Sequence, residues 1–120
     1  MRGWIAGVSI ALASTALAVA APAGRLAPKD IEATFFNGKP FTAQTPGAVK
    51  FRMVFTSDGK MTREPLGKTG AKGEGTWKLN QDGFCTTWKG AKTNCFRVQP
   101  SGQNRWAIIA GTSAVAYWSK

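Results

Sequence analysis

Residues 75–96 read GTWKLNQDGFCTTWKGAKTNCF, three short apolar segments separated by two turn signals. Asp82-Gly83 and Gly90-Ala91 are residue pairs that tight hairpin turns favour. The segments around them are rich in Thr, Trp and Phe, which are typical of β-strands. We therefore predict three consecutive antiparallel strands in this part of the chain.

The same pattern extends in both directions. Turn signals recur about every 8 to 12 residues with short apolar segments between them, which indicates an antiparallel sandwich or barrel. The segment VKFRMVF, residues 49–55, alternates apolar side chains with Lys50 and Arg52, so one face is buried and the other meets water. We predict about eight strands, near residues 39–45, 48–56, 60–66, 73–80, 83–88, 93–99, 104–110 and 113–118.

The N-terminus has the features of a secretory signal peptide. One positive charge precedes a run of small and apolar residues, and Ala18 and Ala20 suit cleavage after Ala20. The alternative is a transmembrane anchor, but the run is rich in Ala, Ser and Thr and barely reaches the ~20 residues of a span. We therefore divide the chain into a signal peptide (1–20), a linker (21–27) and a single domain (28–120). This predicts a periplasmic or secreted protein with no integral membrane span after cleavage.

One segment, residues 28–36, looks helical. Pro28 suits a first helical turn, Asp30 suits the N-terminal dipole, and Asn37-Gly38 is a stop signal. The strands that follow form a meander, which closes most simply into a barrel. The predicted fold class is thus all-β and mainly antiparallel: a small up-and-down β-barrel or meander of about eight short strands, preceded by a signal peptide and one short helix.

Eight strands enclose an interior just wide enough for side chains or one small ligand. We expect aromatic side chains to fill most of this interior and to leave only a shallow mouth. The candidates are Trp77, Trp88, Trp106, Phe51 and Phe55.

The chain has two cysteines, Cys85 and Cys95, with nine residues between them. That spacing excludes a C-x-x-C redox motif, and two thiols in a chain without histidine make a poor zinc site. In an exported chain, two cysteines most often form one disulfide. We therefore predict a disulfide between Cys85 and Cys95.

The disulfide fixes the register of the hairpin. A two-residue turn at Gly90-Ala91 would place the two sulfur atoms on opposite faces, whereas an odd loop, residues 89–91, sets Cys85 opposite Cys95. The odd loop places one set of side chains on the core face: Phe84, Trp88, Phe96 and Val98. The other face then carries the disulfide together with Thr87, Thr93 and Arg97.

The order of the segments GKPFTA, SDGK, GTWKL, DGFC, TTW and CFRV resembles that of small exported proteobacterial domains of unknown function. These domains share a G-x-W strand, a C-x-x-W strand and a C-[FY]-R-[VI] strand. The match covers residues 28–120, and residues 75–98 are its most specific part. The resemblance implies a lipocalin-like β-barrel and export, and it implies no activity.

Enzymatic chemistry has little support in the sequence. Histidine is absent, which excludes Ser-His and Cys-His nucleophile arrangements. A glycosidase-type carboxylate pair would require Glu64 and Glu74 to meet in the fold. The sequence GKT at residues 67–69 resembles part of a phosphate loop, but the motif needs glycine where the chain has Thr62. We predict that the protein is not an enzyme and has no catalytic residue, no cofactor and no metal site.

The chain is strongly basic. Its net charge is +10, and removal of the signal peptide takes away Arg2 and leaves +9. A charge of this size favours acidic partners: an anionic polysaccharide, a lipid headgroup or an acidic protein, whereas nucleic acid is not expected. The alternative is a solvated basic surface with no single partner. The candidate anion-binding or partner-binding residues are Lys50, Arg52, Lys68, Lys72, Trp88, Lys89, Lys92, Arg97 and Arg105.

Two groups of these candidates lie in turns. Lys68 and Lys72 flank glycines whose backbone amides are able to approach an anion, although a flexible cationic loop explains them as well. Trp88 lies next to Lys89 and Lys92, as in platforms that stack sugars or bases. The alternative is that Trp88 belongs to the core or closes a barrel end.

Two functional classes stay open. The one that we favour is a non-enzymatic binding module for an anionic envelope component or an acidic partner. The other is an exported inhibitor or stress-type protein interaction domain. Binding that weakens with added salt favours the first, and a salt-resistant stoichiometric complex favours the second.

Overall fold

The structure, a computed structural model, describes residues 24–120. The predicted signal peptide and the start of the predicted linker lie outside the described residues. Among residues 24–120, no helix has the length and apolar character needed to cross a bilayer.

The described chain forms one helix followed by eight strands that close into a barrel in chain order. Each strand runs antiparallel to the next, and the first strand closes the barrel against the last. The elements are α1 (Pro28–Phe35), β1 (Phe41–Gln44), β2 (Lys50–Phe55), β3 (Lys60–Pro65), β4 (Gly73–Leu79), β5 (Phe84–Trp88), β6 (Thr93–Pro100), β7 (Arg105–Ala110) and β8 (Ser113–Ser119). The predicted fold class is confirmed.

Strand alternation produces the barrel interior. In β2, Phe51, Met53 and Phe55 are buried, whereas Lys50 and Arg52 are exposed. Successive side chains of a strand point to opposite faces, so the apolar set of β2 lines the inside of the barrel. This is the orientation that the sequence of β2 predicts.

The helix closes one end of the barrel. Phe35 and Phe36 are almost completely buried, and the ring centroid of Phe35 lies 5.0 Å from those of Trp106 and Trp118. Phe36 stacks on Phe55 with ring centroids 4.6 Å apart. The aromatic core at this end is therefore built partly by Phe35 of α1 and by Phe36, which caps the helix, and neither is among the five aromatic residues expected to fill most of the interior.

Of the five aromatic residues expected to fill the interior, three are buried and two are only half-buried. The buried ones are Phe51, Phe55 and Trp77, and the half-buried ones are Trp88 and Trp106. Trp77 also donates a hydrogen bond from its indole Nε1 to the carbonyl oxygen of Thr56 at 2.9 Å. Trp88 is half-buried at the last position of β5, at the end of the barrel opposite α1.

Antiparallel strands reverse direction, so their connections alternate between the two ends of the barrel. The β2–β3, β4–β5 and β6–β7 connections emerge at the end that α1 covers. The β1–β2, β3–β4, β5–β6 and β7–β8 connections emerge at the other end, which we call the open end.

The β5–β6 hairpin has the predicted register. Cys85 pairs with Cys95 and Phe84 with Phe96, and a disulfide joins the two cysteines. Five residues separate the last pair, Thr87 and Thr93, which is the odd number that this register requires. The hydroxyl oxygens of that pair lie 2.6 Å apart on the disulfide face, whereas Phe84 on the other face is buried.

The chain that precedes α1 runs along the barrel. Leu26 donates a backbone hydrogen bond to the carbonyl oxygen of Val98 at 2.8 Å, and its side chain packs against the core. Arg25 lies 3.9 Å from a carboxylate oxygen of Asp82. The described part of the predicted linker thus contacts the domain.

Candidate ligand site at the open end of the barrel

The candidate site begins with an arginine on the inward face of β3. Arg63 lies opposite Met53 of β2 and opposite Gly73 of β4. Directly opposed residues share one face of a sheet, and Met53 is buried in the core. Arg63 therefore projects to the interior side of the barrel, close to its open end.

Two aromatic rings hold the Arg63 guanidinium. Its central carbon, Cζ, lies 4.5 Å from the ring of Trp88 and 5.0 Å from the ring of Phe51. Both distances are within the ~6 Å range of cation–π attraction. These contacts fix the orientation of the planar guanidinium at the mouth of the barrel.

The Nε atom of Arg63 is buried and has no protein hydrogen-bond acceptor within residues 24–120. The two salt bridges of this part of the chain join Arg25 to Asp82 and Arg52 to Glu64, so no carboxylate neutralises Arg63 there. An unsatisfied buried donor costs about 1–3 kcal/mol, and more when it is charged. A buried donor without an acceptor is rare in folded proteins, and one explanation is that a bound ligand supplies the acceptor.

Behind Arg63 lies a cavity of about 180 Å³ inside the barrel. Most of its wall is apolar and includes Phe51, Phe84, Ile108 and Trp118. The polar side chains in the wall are those of Thr45, Arg63 and Thr86. Of residues 24–120, Arg63 is therefore the one charged residue in the lining of this cavity.

In front of Arg63, an open groove of about 640 Å³ faces solvent. Lys72 and Lys89 border this groove, and so do the carboxylates Glu64 and Glu74. Arg63 and Trp88 line both the groove and the interior cavity. These two side chains thus form the wall between the solvent and the barrel interior.

The structure brings three of the predicted site residues together in the groove: Lys72, Trp88 and Lys89. Lys68 and Lys92 are exposed and lie in the same two connections.

Four predicted site residues lie elsewhere on the barrel. Arg52 is on the outside of β2, 3.7 Å from Glu64, and Arg97 donates a hydrogen bond to the carbonyl oxygen of Gly111. Lys50 and Arg105 border a separate shallow groove outside β1 and β8. Arg105 lies with Cζ 4.0 Å from the ring of Tyr117.

Arg63 is the residue that sequence reasoning missed. The segment KMTREP is mostly polar, and its composition alone does not distinguish an inward-facing charged residue from an outward-facing one. The alternation of side chains along β3 does indicate that Arg63 faces inward, because it lies two residues after the apolar Met61 and therefore shares its face.

The pair of carboxylates considered for catalysis borders the groove from exposed positions. Glu64 lies beside Arg52, and Glu74 lies opposite Thr62 on the outside of the barrel. Neither of them lines the interior cavity.

Comparison of the chain with protein-family models, with curated proteins and with solved structures finds no match.

Proposed function

We propose that the protein is an exported, non-enzymatic binding module for an anionic ligand, which approaches through the groove at the open end of the barrel. The observation that carries the proposal is the position of Arg63. It is a half-buried cation without a carboxylate partner among the described residues, and it lies between a solvent-facing groove of mixed charge and a mainly apolar cavity.

The charge of the protein supports an anionic ligand. Lys72 and Lys89 border the groove, and the mature sequence keeps a net charge of +9 if cleavage follows Ala20. The summed positive charge of the protein attracts negatively charged ligands to its surface. The proposed ligand is therefore an anionic component of the cell envelope, such as a polysaccharide, a lipid headgroup or an acidic protein.

Export is part of the proposal. The apolar N-terminal segment and the Cys85–Cys95 disulfide both suit an oxidising compartment outside the cytoplasm. The closed eight-stranded barrel is also the architecture implied by the resemblance to small exported domains. Membership of that group is proposed on this architecture together with the strand motifs.

The test compares two triple variants with equal changes of charge. One variant replaces lysines at the open end, Lys68→Gln, Lys72→Gln and Lys89→Gln. The control replaces exposed lysines near the helix-covered end, Lys29→Gln, Lys39→Gln and Lys78→Gln. Binding is measured to dextran sulfate, to phosphatidylglycerol vesicles and to polyglutamate at low and at physiological salt.

We expect the unmodified protein to bind at least one of these anions at low salt, with weaker binding as salt screens the lysines. The open-end variant should lose more of this binding than the control variant. The proposal is overturned if none of the three anions is bound at low salt, or if both variants lose binding equally, since net charge alone would then explain it.

A further inference from the structure

We call Arg63 and the barrel cavity behind it the inner site. We propose that the ligand of the inner site is a short alkyl carboxylate, with its carboxylate on Arg63 and its hydrocarbon chain in the barrel cavity. This inference rests on the proposed function, because it names the class of anion that passes through the groove. The observation behind it is one buried donor atom, Nε of the half-buried Arg63, at the entrance of a mainly apolar space.

The head group follows from the chemistry of Arg63. A guanidinium presents N–H donors in a planar fork that matches a carboxylate with two parallel hydrogen bonds. The rings of Trp88 and Phe51 already hold this fork in place, so little side-chain freedom is lost when an anion binds.

The charge of the ligand follows from the number of cations at the inner site. In the part of the chain that the structure describes, Arg63 is the one charged residue in the cavity lining, so a single negative charge is neutralised there and a second one would be buried without a partner. Ligands with several charges are expected to stay in the outer groove, where Lys72 and Lys89 face solvent.

The chain length follows from the volume. The cavity has a volume of about 180 Å³. The cavity is smaller than the ~300–1,000 Å³ of drug-sized sites. Phe35 and Phe36 close the opposite end of the barrel, so a long chain has no continuing path through it.

The apolar wall should select for hydrocarbon. Phe51, Phe84 and Trp118 surround the space, and its other polar side chains are two threonines. Each buried methylene contributes about 0.8 kcal/mol, which is about a fourfold gain in affinity. Affinity should therefore rise from acetate to hexanoate and stop rising once the cavity is full.

The experiment titrates the oxidised protein, with its predicted signal peptide removed, with acetate, hexanoate and palmitate. It also uses a neutral and a cationic compound that have six carbons like hexanoate, hexanol and hexylammonium. Binding is followed by tryptophan fluorescence and by calorimetry. We expect hexanoate to bind more tightly than every other compound in the set, and at least about tenfold more tightly than hexanol, because a hydrogen bond to a charged group is lost.

The variants isolate the role of the arginine. Arg63→Met keeps an apolar stem and removes the charge. It should lower the affinity for hexanoate by about tenfold or more and leave the affinity for hexanol unchanged. Arg63→Lys should restore part of the hexanoate affinity, because it restores the charge but not the fork. The matched control is Arg25→Met, which removes an exposed arginine at the other end of the barrel and should leave hexanoate affinity unchanged.

The inference is overturned if hexanoate and hexanol bind equally to the unmodified protein, a comparison that needs no variant to fold. It is also overturned if Arg63→Met retains full hexanoate affinity, or if palmitate binds as tightly as hexanoate. Loss of hexanoate binding alone leaves the proposed function intact when the polyanions still bind through the open-end lysines, so the two failures are distinguishable.

Discussion

Gly73 lies opposite Arg63 in the β3–β4 pair, and a Cβ atom at position 73 would stand 3.0 Å from Nε of Arg63 and 3.4 Å from Cε3 of Trp88. The absence of a side chain at position 73 therefore leaves the space that the guanidinium occupies. The backbone of Gly73 does not require glycine, since its φ lies outside the left-handed region. Glycine at position 73 is therefore explained by the space that the Arg63 side chain needs, and not by the backbone conformation of the strand.

The Gly73→Ala variant should separate ligand binding from stability. The new methyl group pushes the Arg63 side chain from its position, so hexanoate affinity falls. The free energy of unfolding should stay within about 1 kcal/mol or rise slightly, because alanine restricts the unfolded chain more than glycine does. Titration with hexanoate and urea unfolding measure the two quantities.

The matched control for this variant is Gly67→Ala in the β3–β4 connection. A Cβ atom at Gly67 would meet no atom within 4 Å, so this change should leave hexanoate affinity unaltered. Equal loss of affinity in both variants would contradict a specific role of Gly73.

Substitution of Gly75, unlike that of Gly73, should lower the stability of the protein. A Cβ atom there would lie 2.3 Å from the carbonyl oxygen of Thr87 and 2.9 Å from Cα of Trp88, so the obstacle is backbone of the neighbouring strand. Overpacking of this kind costs about 1–3 kcal/mol. We expect Gly75→Ala to lower the free energy of unfolding by that amount in urea titrations, and an unchanged midpoint would show that β4 and β5 are less closely packed than described.

The disulfide should stabilise the barrel without being needed to form it. Closing an 11-residue loop contributes about 3 kcal/mol by the chain-entropy estimate. In the double variant Cys85→Ala, Cys95→Ala, the free energy of unfolding measured by urea titration should therefore fall by up to this amount. The variant should keep a β-type circular dichroism spectrum. A reductant should destabilise the unmodified protein in the same way and leave the double variant unaffected.

Phe36, which follows α1 as its C-cap residue, should contribute strongly to the stability of the barrel. Phe36 is 1% exposed and contacts Phe55, Trp77 and Phe84. Replacing a buried phenylalanine by alanine typically costs about 3–5 kcal/mol, so Phe36→Ala should unfold far more easily. The control Lys29→Ala changes an exposed residue of α1 and should shift the unfolding midpoint very little.

Asp58 provides a test of the β2–β3 turn. The Thr56 hydroxyl donates a hydrogen bond to the Asp58 carboxylate and lowers the pKa of that group below its usual 3.8. Because the folded-state pKa is lowered, the stabilisation is present above pH 3.8 and is lost as the pH falls through the folded-state value. In Thr56→Val, the pKa of Asp58 followed by NMR should rise towards 3.8, and an unchanged pKa would show that another group sets it.

The barrel was predictable because its signals are local. Alternation in residues 49–55 and paired turn residues such as Asp82-Gly83 depend on near neighbours along the chain, and the observed strand bounds lie within two residues of the predicted ones. The register of β5 and β6 followed from one covalent constraint, since only an odd loop sets Cys85 against Cys95.

The site was less predictable because it depends on distant contacts. Phe35 and Phe36 meet strands from both ends of the chain, and no local pattern indicates that a short helix enters a barrel. Arg63 resembled a surface residue among the other charged side chains of β3. Its environment comes from Phe51, Gly73 and Trp88, which three other strands supply.

The measurement that tests the central claim most directly is the NMR signal of the Arg63 Nε–H group during a hexanoate titration. We expect this signal to shift saturably with hexanoate, in parallel with the indole signal of Trp88, and to stay in place with hexanol. An Arg63 signal that remains unchanged while hexanoate saturates the Trp88 signal would contradict a carboxylate site on Arg63.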